Sequence, residues 1–221
     1  MARRALNATI TTLTATTALL LAGCGGGGGD SSAGDIKGAG SGASSPSAAA
    51  SVPGSGGAGA PDVSVPEDVK LVFDFDAPSD ANSAAALANA ENYMRALTHG
   101  MAQQDPEDPA YKYYSEGLAA KYAKTQIQTM VKGGWTVNGT DEYYNAKATK
   151  LTNKNIVVTF CRNQAKFFGK EVKTGKILRT QESLASYEKY TLLMNPPSSS
   201  SKTWKAMVIE VVGKSEECRA A

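Results

Sequence analysis

The residues able to do chemistry in this chain are few, and the first of them is Cys24. The tetrad Leu21-Ala22-Gly23-Cys24 closes an apolar run and has the order of a bacterial lipobox. In such a box the thiol takes a diacylglyceryl thioether and becomes the first residue of the mature chain. Cys161 and Cys218 remain as a pair. In an exported, oxidising setting they are expected to form a disulfide, with two free thiols as the alternative. The bridge would close a loop of more than fifty residues and stabilise by roughly 3–4 kcal/mol. His99 is the only histidine and there is no second cysteine pair, so no metal site and no cofactor are expected.

General acid–base work needs a positioned carboxylate or imidazole. The segments that read as strands contain Glu188 and Glu210 and no aspartate. Glu210 shares an alternation face with Trp204, Val208 and Val212. It either points inward with a raised pKa or pairs outward with Lys205 or Lys189, and the outward arrangement is favoured. His99 lies between Leu97 and Met101, off the apolar face of its helix, and is expected at the surface or at the helix end. The serines at 198–201 lack the partners of a nucleophilic site. No catalytic residue is assigned. The candidate ligand-binding set is Tyr93, Tyr143, Tyr144, Tyr187, Trp204 and Glu210, whose aromatic members combine apolar bodies with polar tips. Ordinary core and surface packing is the competing account of these aromatics. Tyr143 and Tyr144 are expected in an exposed loop between strands.

Three segments must carry these residues. Residues 1–23 read as a secretory signal: Arg3 and Arg4 supply the positive start, residues 10–22 the apolar stretch, Ala22 and Gly23 the small residues before cleavage. The stretch falls short of the roughly 20 apolar residues a spanning helix needs. Arg3-Arg4 leaves both the general secretory and the twin-arginine export routes open. Residues 24–65 comprise Cys24 and a Gly/Ser/Ala/Pro-rich tether with too little apolar surface to offset its ordering entropy. A Gly-rich coil of that length spans about 35 Å. Residues 66–221 form the folded domain, enough chain for one core. The expected address is the outer face of the cell membrane, held by the acyl chains on Cys24.

Charge narrows the partners. Removing the signal lowers Lys plus Arg from 23 to 21, against 21 Asp plus Glu, so the mature chain is near neutral and nucleic acid is not expected. The charge is polarised, however. Residues 66–110 carry nine acids against Lys70 and Arg95, whereas residues 111–221 carry eighteen basic residues against nine acids. Either the two halves cancel on folding, which is favoured, or a basic face meets an anionic envelope polymer or lipid headgroup.

Within the domain, residues 69–75 are apolar and extended, covering an edge. Pro78-Ser79-Asp80 starts a helix whose face is Leu87, Ala90, Met94, Leu97 and Met101. Gly100 and the Asp/Pro run at 105–109 end it. Tyr111, Tyr113 and Tyr114 fall in a connector, and Ser115 caps a second helix that Gly133-Gly134 stops. The period then changes to two. A short strand from Trp135 is closed by an Asn138-Gly139 turn. A strand follows at 146–151, then the most β-prone stretch at 156–161, which should be central. Next come a hairpin tip at 173–176, a strand over 186–194 stopped by Pro196-Pro197, and a last strand over 204–212.

Helices followed by antiparallel strands make an α+β fold. The order resembles the NTF2-like (cystatin-like, SnoaL-like) cone, in which N-terminal helices pack on a curved antiparallel sheet. A lipobox and Gly/Ser tether, then VPEDVKLVFDF, AENYMRAL, DPAYKYY, GWTVNG and VVTFC with a C-terminal cysteine resemble a group of actinobacterial lipoproteins over the chain from Cys24 onward. The group usually has an aspartate soon after the strand cysteine, where this chain has Arg162-Asn163. The resemblance is nearly silent on activity; the missing Asp/His constellation favours a membrane-anchored, non-catalytic module that binds a small amphipathic ligand or a cell-envelope protein. Homodimerisation through the sheet is an implication of the NTF2-like resemblance. The alternatives are a small SnoaL- or ketosteroid-isomerase-like enzyme using Glu210 or His99, and a structural or assembly lipoprotein.

Overall fold

Asp80 opens the first helix. Its carboxylate accepts the Ser83 backbone N–H at 2.9 Å, satisfying one of the unpaired donors of the first turn of α1 (Ala81–Gln103). The structure, a computed structural model, describes residues 59–221. The signal segment, Cys24 and the tether as far as residue 58 lie outside the described residues. Gly100, expected to end α1, sits inside it. A Cβ there would lie 2.5 Å from Ile127 Cδ1, so the glycine is needed where α1 meets α3 (Gly117–Gly133). The helix instead ends at Gln104, in the left-handed region at φ 58°, whose N–H reaches the Gly100 carbonyl. The expected tyrosine connector is a helical turn, α2 (Pro109–Tyr114). Asp108 caps it through the Ala110 N–H at 2.7 Å and Pro109 stands in its first turn. Ser115 does not cap α3. Its hydroxyl donates back to the Tyr111 carbonyl, and the next residue, Glu116, donates its N–H to the Ala206 carbonyl at 2.9 Å. Gly134 (φ 70°) closes α3.

The helices pack on one face of a six-stranded, mostly antiparallel sheet: an α+β fold. The strands are β1 (Val69–Asp74), β2 (Trp135–Lys150), β3 (Ile156–Glu171), the two-residue β4 (Ile177–Leu178), β5 (Tyr187–Asn195) and β6 (Lys205–Gly213). Their order is β1-β2-β3-β5-β6, with β4 on β3. The β-prone 156–161 segment is central, as its composition predicts. β1 pairs with β2 in parallel, so the sheet is not wholly antiparallel. The Asn138-Gly139 turn does not form. β2 runs straight through it, because Gly139 N–H is taken by the Asp68 carbonyl at 2.8 Å and Asn138 Nδ2 also reaches Asp68. At φ 100°, a Cβ on Gly139 would stand 2.1 Å from the Lys166 carbonyl oxygen. The glycine serves close strand approach, not reversal.

Core side chains alternate along the strands. Ile156, Val158 and Phe160 of β3 stand opposite Met194, Leu192 and Tyr190 of β5. Tyr93, Met94, Leu97 and Ile127 of the helices pack down on this face. Val63 and Val65, assigned to the tether by composition, also pack against the core. Ordered packing therefore begins a few residues before Pro66.

Candidate functional site

Two places bring charged side chains together, one on each face of the sheet. On the helix-covered face, the row Ile156-Val158-Phe160 continues to Arg162. Its guanidinium grips Asp141 of β2 with both arms, Nε to Oδ1 at 2.7 Å and Nη2 to Oδ2 at 2.8 Å. Nη1 reaches Glu188 Oε2 of β5 at 3.0 Å and Tyr190 Oη at 3.3 Å. Tyr143 donates to Asp141 at 2.7 Å and Tyr190 to Glu188 at 3.0 Å. Asp141 has no exposed side-chain surface and Arg162 is 14% exposed. Burial opposes the charge on Arg162, but Asp141 and the surrounding tyrosine oxygens outweigh it and hold the guanidinium ionised well above its ordinary range. Burial pushes the Tyr143 and Tyr190 hydroxyls up, so both stay neutral donors. Phe73 stacks on Tyr143 with centroids 4.6 Å apart, and the Arg95 guanidinium lies over Phe73 at 4.4 Å.

This network corrects the reading that the strands contain no aspartate. Asp141 was hidden because the false turn at Asn138-Gly139 put it in a loop. Both Asp141 oxygens are occupied, so it is a paired anchor and not a free base. Glu188 Oε1 alone among the carboxylate oxygens of the cluster has no hydrogen bond among the described residues.

Strand alternation sends Cys161, between Phe160 and Arg162, to the opposite face. There it is bonded to Cys218 of the C-terminal turn α4 (Glu216–Arg219), with Cα atoms 5.3 Å apart. Ser215 caps α4 through the Cys218 N–H and gives its own N–H to the Tyr187 carbonyl at 3.0 Å. A cleft of about 580 Å³ opens beside the bridge, lined among others by Asp74, Asp76, Lys147, Thr159 and Lys189. Its wall is irregular. β2 and β3 slip in register between Tyr144 and Lys147, and Asn145 sits at φ 55°. Bulges of this kind re-aim side chains beside functional sites. Lys189 is tied to Glu217 at 2.8 Å, whereas Asp74, Asp76 and Lys147 have no ion pair among the described residues.

The residues singled out by sequence fall as follows. Tyr143, expected in an exposed loop, is buried in β2. Tyr144 follows it in the same strand, half-buried, with its hydroxyl on the Cys218 carbonyl. Tyr93 is buried in the core and donates to the Ala119 carbonyl at 2.8 Å. The Tyr187 hydroxyl is held by Glu182, which raises its pKa. Trp204 is buried and borders a second hollow, of about 420 Å³, with Leu151, Pro196 and Pro197. Glu210 is exposed. A bulge between Leu193 and Met194 gives β6 one extra residue, so the core-facing phase passes from Trp204 and Ala206 to Ile209 and Val211. His99, expected at the surface or at the helix end, is buried in the last turns of α1. Nδ1 lies 2.5 Å from the Ser64 carbonyl and Nε2 3.4 Å from Asp108 Oδ2. The candidate set is therefore dispersed, and Asp74, Asp76, Lys147, Asp141 and Arg162 were missed by sequence reasoning. Only the charge of Arg162 in an otherwise apolar alternation was visible beforehand.

The class of protein so defined is a disulfide-pinned α+β domain with a charged cleft on the sheet face opposite its helices. No protein-family model matches the chain, and no curated protein matches it.

Proposed function

We propose that the protein is a lipid-anchored, extracytoplasmic binding module with an NTF2-like cone. Cys24 fastens it to the outer face of the cell membrane, and the domain holds a polar small ligand or a segment of an envelope protein. The order of helices and strands supports the cone, and the LAGC tetrad supports the anchor. One observation carries the binding reading. The cleft beside the disulfide has the volume of a small-molecule site and is bordered by charges without partners, Asp74, Asp76 and Lys147. On the helix-covered face, by contrast, the Asp141 and Arg162 charges already satisfy one another.

Native mass spectrometry of the protein purified from its own cells tests this reading. A retained molecule or subunit is expected, and it should be lost when Lys147→Glu inverts the unpaired positive charge of the cleft. Bare protein from both variants refutes the binding role. A second reading rests on Glu188, whose Oε1 is open: a small isomerase-like enzyme using that carboxylate as base. Turnover abolished by Glu188→Gln with an unchanged far-ultraviolet spectrum would favour it.

A further inference from the structure

The β3–β4 hairpin ends in a tip that the binding reading does not use. Trp135 opens β2 and is paired with Glu171 of β3, and the Val172 N–H is held by the Gly134 carbonyl at 2.9 Å. These are two of the large apolar residues the domain leaves exposed, Trp135 by 40% and Val172 by 50%. Val172 follows Glu171, the ladder partner of Trp135, so both apolar residues stand at the same end of the arm. The indole is supported from within: a Cβ on Gly133 would meet its ring at 2.7 Å, so Trp135 lies flat over the end of α3.

Around this wedge the charge is predominantly positive. Residues 166–179 contain Lys166, Lys170, Lys173, Lys176 and Arg179 against the single acid Glu171, and Lys132 ends α3 next to it. Lys170 is paired with Asp68, and Glu171 is turned to the Thr174 hydroxyl. Lys132, Lys173, Lys176 and Arg179 have no ion pair among the described residues. Lys173 and Lys176 flank the tip turn, which is closed by Gly175 N–H to the Glu171 carbonyl at 2.9 Å. Arg179 folds over Phe168 at 5.4 Å, three residues back from Glu171 along the same arm.

We propose that this tip docks end-on into an anionic phospholipid surface. Trp135 and Val172 would enter the headgroup layer, with the lysines and Arg179 on the lipid phosphates. An indole suits that depth because one edge is apolar and the N–H remains wet. Lysine stems lie along apolar surface while the ammonium stays with the phosphates. The charge complementarity selects a membrane over a neutral protein partner. The site does not depend on Cys24, and a tethered domain would gain from it by raised local concentration.

The test uses the full chain carrying Cys24→Ala, mixed with vesicles of phosphatidylglycerol and phosphatidylcholine or of phosphatidylcholine alone, each containing dibrominated acyl chains. Bromine quenches an indole only at membrane depth. Of the two tryptophans, Trp204 is buried, so the quenched signal is that of Trp135 and vanishes in Trp135→Phe. Any binding through the apolar stretch at 10–22 acts on both vesicle types alike, so the readout is the difference in Trp135 quenching between them. Quenching is expected on the anionic vesicles and not on the neutral ones, and 0.5 M salt, added to screen the lysines, should suppress it. Each basic side chain near an anionic surface contributes roughly fivefold in affinity. Lys173→Gln/Lys176→Gln/Arg179→Gln should therefore weaken the quenching titration by about a hundredfold while the far-ultraviolet spectrum is unchanged. Equal quenching on both vesicle types, an unaffected triple variant, or vesicle binding with no Trp135 quenching would each overturn the proposal. So would association with a soluble polyanion but not with the vesicles.

Discussion

Replacing Arg162 with methionine tests whether the buried network is held by its charges. Methionine has a similar length and fills the space. Asp141, with no exposed side-chain surface, is then left with one donor, the Tyr143 hydroxyl at 2.7 Å, where it had three. Glu188 loses Nη1 but is 20% exposed and keeps Tyr190, so it can turn to water. Breaking a buried pair by removing one partner costs about 3–5 kcal/mol, mostly the desolvation of the charge left behind. Domains of this size have about 5–15 kcal/mol in hand. With a urea slope of about 2 kcal/mol/M, the unfolding midpoint should fall by about 2 M, read by far-ultraviolet circular dichroism without reductant. Asp141→Leu/Arg162→Met removes both charges and should recover most of the loss, because the orphaned carboxylate is gone. Two results refute the reasoning. A fall below about 0.5 M would mean that water already solvates Asp141. A double variant no better than the single one would mean that packing, and not charge, holds the cluster.

Gly139→Ala should lower the melting temperature by about 6–12 °C, the equivalent of about 3 kcal/mol in a domain of this size, because its Cβ meets the Lys166 carbonyl at 2.1 Å. Gly175→Ala, at φ 71° with open space around it, should cost clearly less; equal losses would rule out the close strand approach as the cause. At acid pH, Lys150 and Ser83 hold Asp80 down to about 2, and Lys112 and Lys124 hold Glu107 down to about 2. Folded values below unfolded ones stabilise fully above the ordinary carboxylate range near pH 4, and that stabilisation is lost as pH falls toward 2. Asp80→Asn/Glu107→Gln should therefore flatten the melting-temperature profile between pH 4 and 2 and leave its slope at neutral pH unchanged.

Much of the architecture was legible because it depends on local sterics. The three- and four-residue spacing of Leu87, Ala90, Met94 and Leu97 makes a helical face wherever the chain lies, and Gly133-Gly134 ends a helix by its own backbone freedom. The run Ile156-Val157-Val158-Thr159-Phe160 suits a pleated surface covered on one side, and it became the middle of the sheet. The reading failed where a distant partner decided the outcome. Asn138-Gly139 is a turn in isolation and a strand once β1 supplies the Asp68 carbonyl. Glu210 follows Trp204 in strict alternation until the bulge shifts the phase. His99 looks exposed on a helical projection until the Ser64 carbonyl meets its ring.

The candidate sites divide the same way. By itself the sequence determined the two long helices, the central strand, the polarised charge and the motif at Cys24, all written in neighbours a few residues apart. Only the tertiary structure decided that Asp141 and Arg162 grip each other across β2 and β3, that three unpaired charges border one cleft, and that Trp135 and Val172 share one basic tip. Those pairings depend on register, and register follows from the packing of a whole face, which no local stretch of chain encodes.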